Sequence, residues 1–128
     1  MIVEGDLENA QVGMVPVPES PFGRGGGRGY HDFYVAYHPD TGEDRFYGGG
    51  TGGYYIYDVS SLDDPQLRIT LTGISGIQSG HTFTPSADGR YVIAESEYQY
   101  APLRIFDLQP ALEGEVTNIR SPISAVHS

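Results

Sequence analysis

At 128 residues, with no cysteine and a formal net charge of −10, the chain is sized for one domain and cannot build a disulfide framework, a zinc–thiolate centre or an iron–sulfur cluster. The acidic balance disfavours nucleic acid as a partner, and no run approaches the roughly 20 apolar residues of a membrane-spanning helix, so direct membrane insertion is not expected. Ten Tyr, five Phe and 38% hydrophobic residues exclude disorder throughout, while 18 Gly and nine Pro favour short strands over long helices.

Residues 1–30 form an N-terminal segment that resembles nothing later in the chain. Its first residues lack the basic and apolar regions of a secretory signal. Met14-Val15 is expected to begin a short edge segment, because Pro16, Pro18 and Pro21 each remove a backbone donor that a central strand would need. Gly23 to Gly29, interrupted by Arg24 and Arg28, is expected to be a loop rather than an RNA-binding tract, since two arginines are few in so acidic a chain.

From His31 the apolar pattern has a period of two, with Phe33, Val35 and Tyr37 opposite Tyr34 and Ala36, which predicts a strand covered on both faces. Pro39 to Asp44 reads as an acidic turn; Asp40, Glu43 and Asp44 fit no calcium-loop spacing. Arg45-Phe46-Tyr47 predicts a short second strand and Gly48 to Gly53 its connection to a third, Tyr54 to Val59. No Lys-Ser or Lys-Thr pair ends that glycine run, so it is not a common phosphate loop. After a turn at Ser60 to Pro65, Gln66 to Thr72 alternates as a fourth strand.

The same order then repeats. His81 to Pro85, Tyr91 to Ala94, Leu103 to Leu108 and a weaker Glu115 to Arg120 are the corresponding strands, with turns at Ser86 to Gly89 and Gln109 to Gly114. His31 and His81 lie 50 positions apart, and Asp58 and Asp107 lie 49 apart. Ala125 to Ser128 resembles a new start, with His127 lying 46 positions after His81. Four short strands recurring at this period predict an all-β fold of propeller blades, each of four antiparallel strands, in an incomplete ring or fragment. The expected division is an N-terminal segment 1–30, blade-like repeats 31–80 and 81–126, and a possible third start at 127–128.

Tyr54-Tyr55-Ile56-Tyr57-Asp58-Val59-Ser60 followed by Asp64-Pro65, and Leu103-Arg104-Ile105-Phe106-Asp107-Leu108, resemble the LVIVD repeats of bacterial and archaeal propeller proteins. His31-Asp32 matches the pair that commonly opens a blade there, whereas Thr82 and Leu108-Gln109-Pro110 depart from the pattern. The resemblance covers about three quarters of the chain. It implies a propeller and a periplasmic or extracellular setting, and says little about activity.

Two chemistries follow from the residues. His31, His81 and His127 occupy equivalent places at the start of the innermost strands, where imidazoles from successive blades can converge on copper, iron or zinc; each can instead hydrogen-bond neighbouring backbone or serve as an acid–base group. Tyr98 and Tyr100, beside Glu95 and Glu97 in an exposed connection, are candidate anchors for a protein partner or for further blades. A non-catalytic interaction or scaffold module is the leading expectation, and a metal-dependent oxidoreductase or hydrolase the alternative. Asp58 and Asp107, each ending a strand before a turn, are expected to be structural carboxylates.

Overall fold

Two runs of short alternating strands build two separate antiparallel sheets in the computed structural model, which describes residues 13–18, 29–98 and 100–126. The first sheet contains β1 (Tyr30–His38), β2 (Glu43–Gly50), β3 (Gly53–Asp58) and β4 (Gln66–Thr72), paired in chain order. The second contains β5 (Thr82–Pro85), β6 (Tyr91–Glu95), β7 (Leu103–Asp107) and β8 (Ser124–Val126), again in chain order, with a four-residue helix α1 (Gln109–Leu112) after β7. The fold is therefore all-β, made of two blade-like four-stranded sheets that close no barrel.

The sheets stack face to face, and the alternation of each strand decides what enters the contact. Tyr47, Tyr54, Ile56, Ile69 and Leu71 from the first sheet meet Phe83, Val92, Ala94, Phe106 and Leu108 from the second, joined by Ile74 and Ile77 of the connecting segment. The Phe83 ring lies 4.9 Å from that of Tyr54 and 5.9 Å from that of Tyr47. Tyr55 and Tyr57 point the other way, with Phe46 and Val59, and that far face is covered by Val15 and Val17. Residues 13–18 form no strand; they lie across the sheet, held by the Pro16 carbonyl, which accepts from the hydroxyls of Tyr30 at 2.9 Å and Tyr57 at 2.7 Å. The Arg24 to Arg28 tract lies outside the described residues.

Three expectations need correction. Gly48, Gly49 and Gly50 are buried members of β2 rather than a connection: a Cβ would meet the Tyr30 and Phe46 rings at Gly48, the Gly80–His81 backbone at Gly49 and the Gly29 carbonyl at Gly50. The tight turn is confined to Thr51-Gly52, where Gly52 holds φ +89°. Strand β1 is not covered on both faces: Phe33, Val35 and Tyr37 are more than half exposed, because the one neighbouring sheet lies on the other side. The second sheet takes its fourth strand from 124–126, not 115–120. Residues 117–119 instead attach to the outer edge of the first sheet, where Thr70 N donates to the Thr117 carbonyl and Ile119 N to the Thr70 carbonyl, both at 2.9 Å. Asn118 Oδ1 seals this crossing by accepting from the hydroxyls of Thr70 at 2.7 Å and Thr72 at 3.1 Å. The free edge of β4 offers unpaired backbone groups, and the returning chain satisfies them.

His38, at the end of β1, is 3% exposed and meets the Tyr47 hydroxyl through Nε2 at 2.7 Å. Burial and the nearby Arg45 guanidinium lower its pKa below the usual imidazole value. The unfolded chain then binds a proton near pH 6.5 that the folded chain refuses, so this stabilisation is complete above that pH and is lost as pH falls toward the depressed folded value. The expected result is a drop in unfolding midpoint between pH 7 and pH 5 that is smaller in His38→Gln. Thermal unfolding at both pH values checks it, and equal drops in the two proteins count against it.

Candidate metal centre

The first strands of the two sheets, β1 and β5, meet, and there the backbone brings two histidines together. Strand β1 carries a register shift between Tyr30 and Asp32, so His31 is the extra residue of a bulge. Such an insertion re-aims a side chain out of the regular alternation. His81 immediately precedes β5 and is clamped from both sides: Gly80 N donates to the Gly50 carbonyl at 2.7 Å and His81 N to the Glu95 carbonyl at 2.8 Å. The two imidazoles stack with centroids 3.7 Å apart and planes tilted by 30°.

Glu97 completes the group. Its Oε2 lies 3.1 Å from His81 Nε2, and one ligand atom from each of His31, His81 and Glu97 falls within 4.8 Å of the other two. His81 Nδ1 is buried without a protein partner, which leaves Nε2 as the nitrogen presented to the cluster. Ligands around one tetrahedral zinc ion stand roughly 3.3 Å apart, as follows from Zn–N bonds of about 2.0–2.1 Å. Any pair standing wider than this closes by rotation of the exposed side chains of His31 and Glu97. Below the pair, the buried Tyr54 hydroxyl donates to the Glu95 carbonyl at 2.5 Å; burial pushes its pKa up to about 12, so it remains a donor.

His127 lies outside the described residues. Among the described residues no other group of three histidines or carboxylates converges in this way. Asp40, Glu43 and Asp44 do not: Glu43 pairs with Arg45 at 2.8 Å, and Asp44 N donates to Ser60 Oγ at 3.0 Å. The four residues read as a contact surface separate into different environments. Glu97 joins the histidines, while the Glu95 carboxylate accepts from the Thr82 hydroxyl at 3.2 Å. The Tyr98 hydroxyl turns inward to within 3.4 Å of Arg104 Nη2, and Tyr100 is 78% exposed at φ +62°.

Asp58 and Asp107 are turn carboxylates. Asp58 accepts from Ser60 N at 2.9 Å and Ser60 Oγ at 2.6 Å, while Asp107 accepts from Gln109 N at 3.0 Å and from Arg90 Nε at 3.2 Å and Nη2 at 3.1 Å. Hydrogen bonds from Ser60 and from Arg90, respectively, hold the two carboxyls below their ordinary pKa.

Fold and site together define a blade-like all-β protein with an interblade His/His/Glu cluster. Neither the family models, nor the curated proteins, nor the solved structures compared with the chain match it. Among the described residues no helix is long and apolar enough to cross a membrane.

Sequence reasoning passed over Glu97 as a ligand. The turn at Ser86 to Gly89 contained the needed signal: it sets Pro85 opposite Val92 and Thr82 opposite Glu95, which carries the residues after β6 past His81.

Proposed function

We propose that this chain is a metal-dependent enzyme in which His31, His81 and Glu97 hold zinc or iron(II) where the first strands of the two blades meet. The observation that carries the reading is the convergence of two imidazoles and one carboxylate from segments 50 and 66 positions apart in the chain from His31. Two histidines and a glutamate form a recurrent catalytic set for zinc and, as a facial triad, for iron(II). Three protein ligands leave positions open for water or substrate, which suits metal-assisted hydrolysis or oxidation. The resemblance to LVIVD-repeat propellers, and with it an extracytoplasmic setting, belongs to the same proposal; the paired four-stranded sheets and the aspartates ending β3 and β7 support it.

Calorimetric titration of the full chain with zinc, with cobalt(II) as a spectroscopic probe, is expected to find one ion per chain. His81→Ala is expected to weaken binding at least tenfold, and Glu97→Gln by about tenfold or more, as losses of direct ligands. A wild-type chain with no saturable binding, or a His31→Ala, His81→Ala double variant that binds like wild type, would sink the reading.

A second reading, an interaction module, draws on the exposed Phe33, Val35 and Tyr37 row along β1. Further blades or a protein partner covering that row would bury it, and sedimentation of the purified chain tests for self-association.

A further inference from the structure

Arg104 is a buried arginine whose charge meets no counter-ion among the described residues. Arg45, Arg68 and Arg90 pair with Glu43, Asp58 and Asp107. Arg104, on β7, is only 9% exposed, yet no carboxylate of the described residues pairs with it. Its Nη1 is buried with no protein partner. Its Nη2 reaches the Ser75 carbonyl at 3.5 Å and the Tyr98 hydroxyl at 3.4 Å, both longer than a good hydrogen bond. A guanidinium does not shed its proton, so a buried one without an anion is costly.

A cavity of about 690 Å³ lies alongside, between the connecting segment 73–79 and residues 96–98. Its wall toward Arg104 is thin: a Cβ added at Gly76 would stand 3.4 Å from both Arg104 Nη2 and the Tyr98 hydroxyl. The lining combines the apolar Ile74 and Ile77 with the hydroxyls of Ser79 and Ser96.

We propose that this cavity binds a small organic acid whose carboxylate takes the place of the Tyr98 hydroxyl on the Arg104 guanidinium. The forked donors of arginine match the two oxygens of a carboxylate, and the volume falls in the range of small-molecule sites. The carbon chain lies against Ile74 and Ile77, with the serine hydroxyls available to polar groups further along. Tyr98 is half exposed, so the displaced ring has a route outward. Glu97 lines the same cavity, which sets the acid beside the metal cluster. The inference goes beyond the metal reading without depending on it, because Arg104 ligates nothing.

The test uses the full chain in chelator-treated, metal-free buffer, with malonate as probe and chloride at equal ionic strength as reference. Malonate is expected to bind saturably and to raise the unfolding midpoint more than chloride does. Arg104→Met is expected to abolish both effects, with at least a tenfold loss of affinity, and to unfold at a higher temperature than wild type in anion-free buffer because the unpaired charge is gone. Tyr98→Phe removes the competing hydroxyl and is expected to tighten malonate binding. Equal effects of malonate and chloride on wild type, or undiminished binding by Arg104→Met, overturn the proposal. Inorganic phosphate binding more tightly than malonate overturns the carboxylate assignment. Should Arg104→Met fail to fold, the wild-type comparison and Tyr98→Phe decide the matter.

Discussion

Phe83→Ala is expected to cost about 3–5 kcal/mol, the range for removing a large aromatic side chain from a core. Phe83 is 2% exposed and is the residue of β5 that fills the space between the sheets, against the rings of Tyr47 and Tyr54. Those rings cannot collapse into the void, because each is anchored at its hydroxyl, Tyr47 to His38 and Tyr54 to the Glu95 carbonyl. A loss of this size approaches the whole stability of a small domain. Denaturant unfolding measures it, with Ile93→Ala as the comparison: Ile93 is 47% exposed on the opposite face, and its truncation is expected to cost less than about 1 kcal/mol. Equal costs at the two positions would mean that the sheets do not share one core.

Gly80→Ala is expected to cost about 3 kcal/mol, the upper end for overpacking, and to weaken zinc binding at the histidine cluster at least tenfold. A Cβ at Gly80 would fall inside contact distance of the Gly53 carbonyl oxygen and within 2.7 Å of the Tyr54 ring. Neither neighbour is free to yield. Gly53 belongs to β3, and the Tyr54 side chain is fully buried with its hydroxyl engaged. The strain must therefore part the sheets where Gly80 N bonds the Gly50 carbonyl, one residue before His81. Gly49 faces the same seam, since a Cβ there would stand 3.1 Å from the Gly80 carbonyl carbon and the His81 oxygen. Unfolding and zinc titration of the variant read the two effects together. An unchanged midpoint with unchanged affinity would show that the seam has room to spare and that its closeness does not position His81.

The strands with clean alternation were legible because alternation reports burial directly. Tyr54 to Asp58, Gln66 to Thr72 and Leu103 to Asp107 all lie in observed strands, and the burial of Tyr54 and Ile56 against the second sheet follows from their shared parity. Parity fails where the ladder slips. A register shift between Ile56 and Tyr57 leaves Leu67 exposed although Ile69 and Leu71 are buried, and composition carries no sign of it. The glycines 48–50 misled for a related reason: a glycine run reads as a turn unless it is known that another backbone must pass close by.

The candidate site divides in the same way. Repetition alone placed His31 and His81 at corresponding points of two modules, since equal spacing in a stacked repeat implies equal position. The sequence by itself therefore determined the all-β class, the order of most strands and the pairing of those histidines. Only the tertiary structure decided that Glu97 joins them, that residues 117–119 close the edge of the first sheet, and that Arg104 lies buried without a counter-ion. The physical reason is that periodicity records which face of a strand is covered. Which distant groups share a covered space depends on how the two sheets are set against each other, and no local pattern records that.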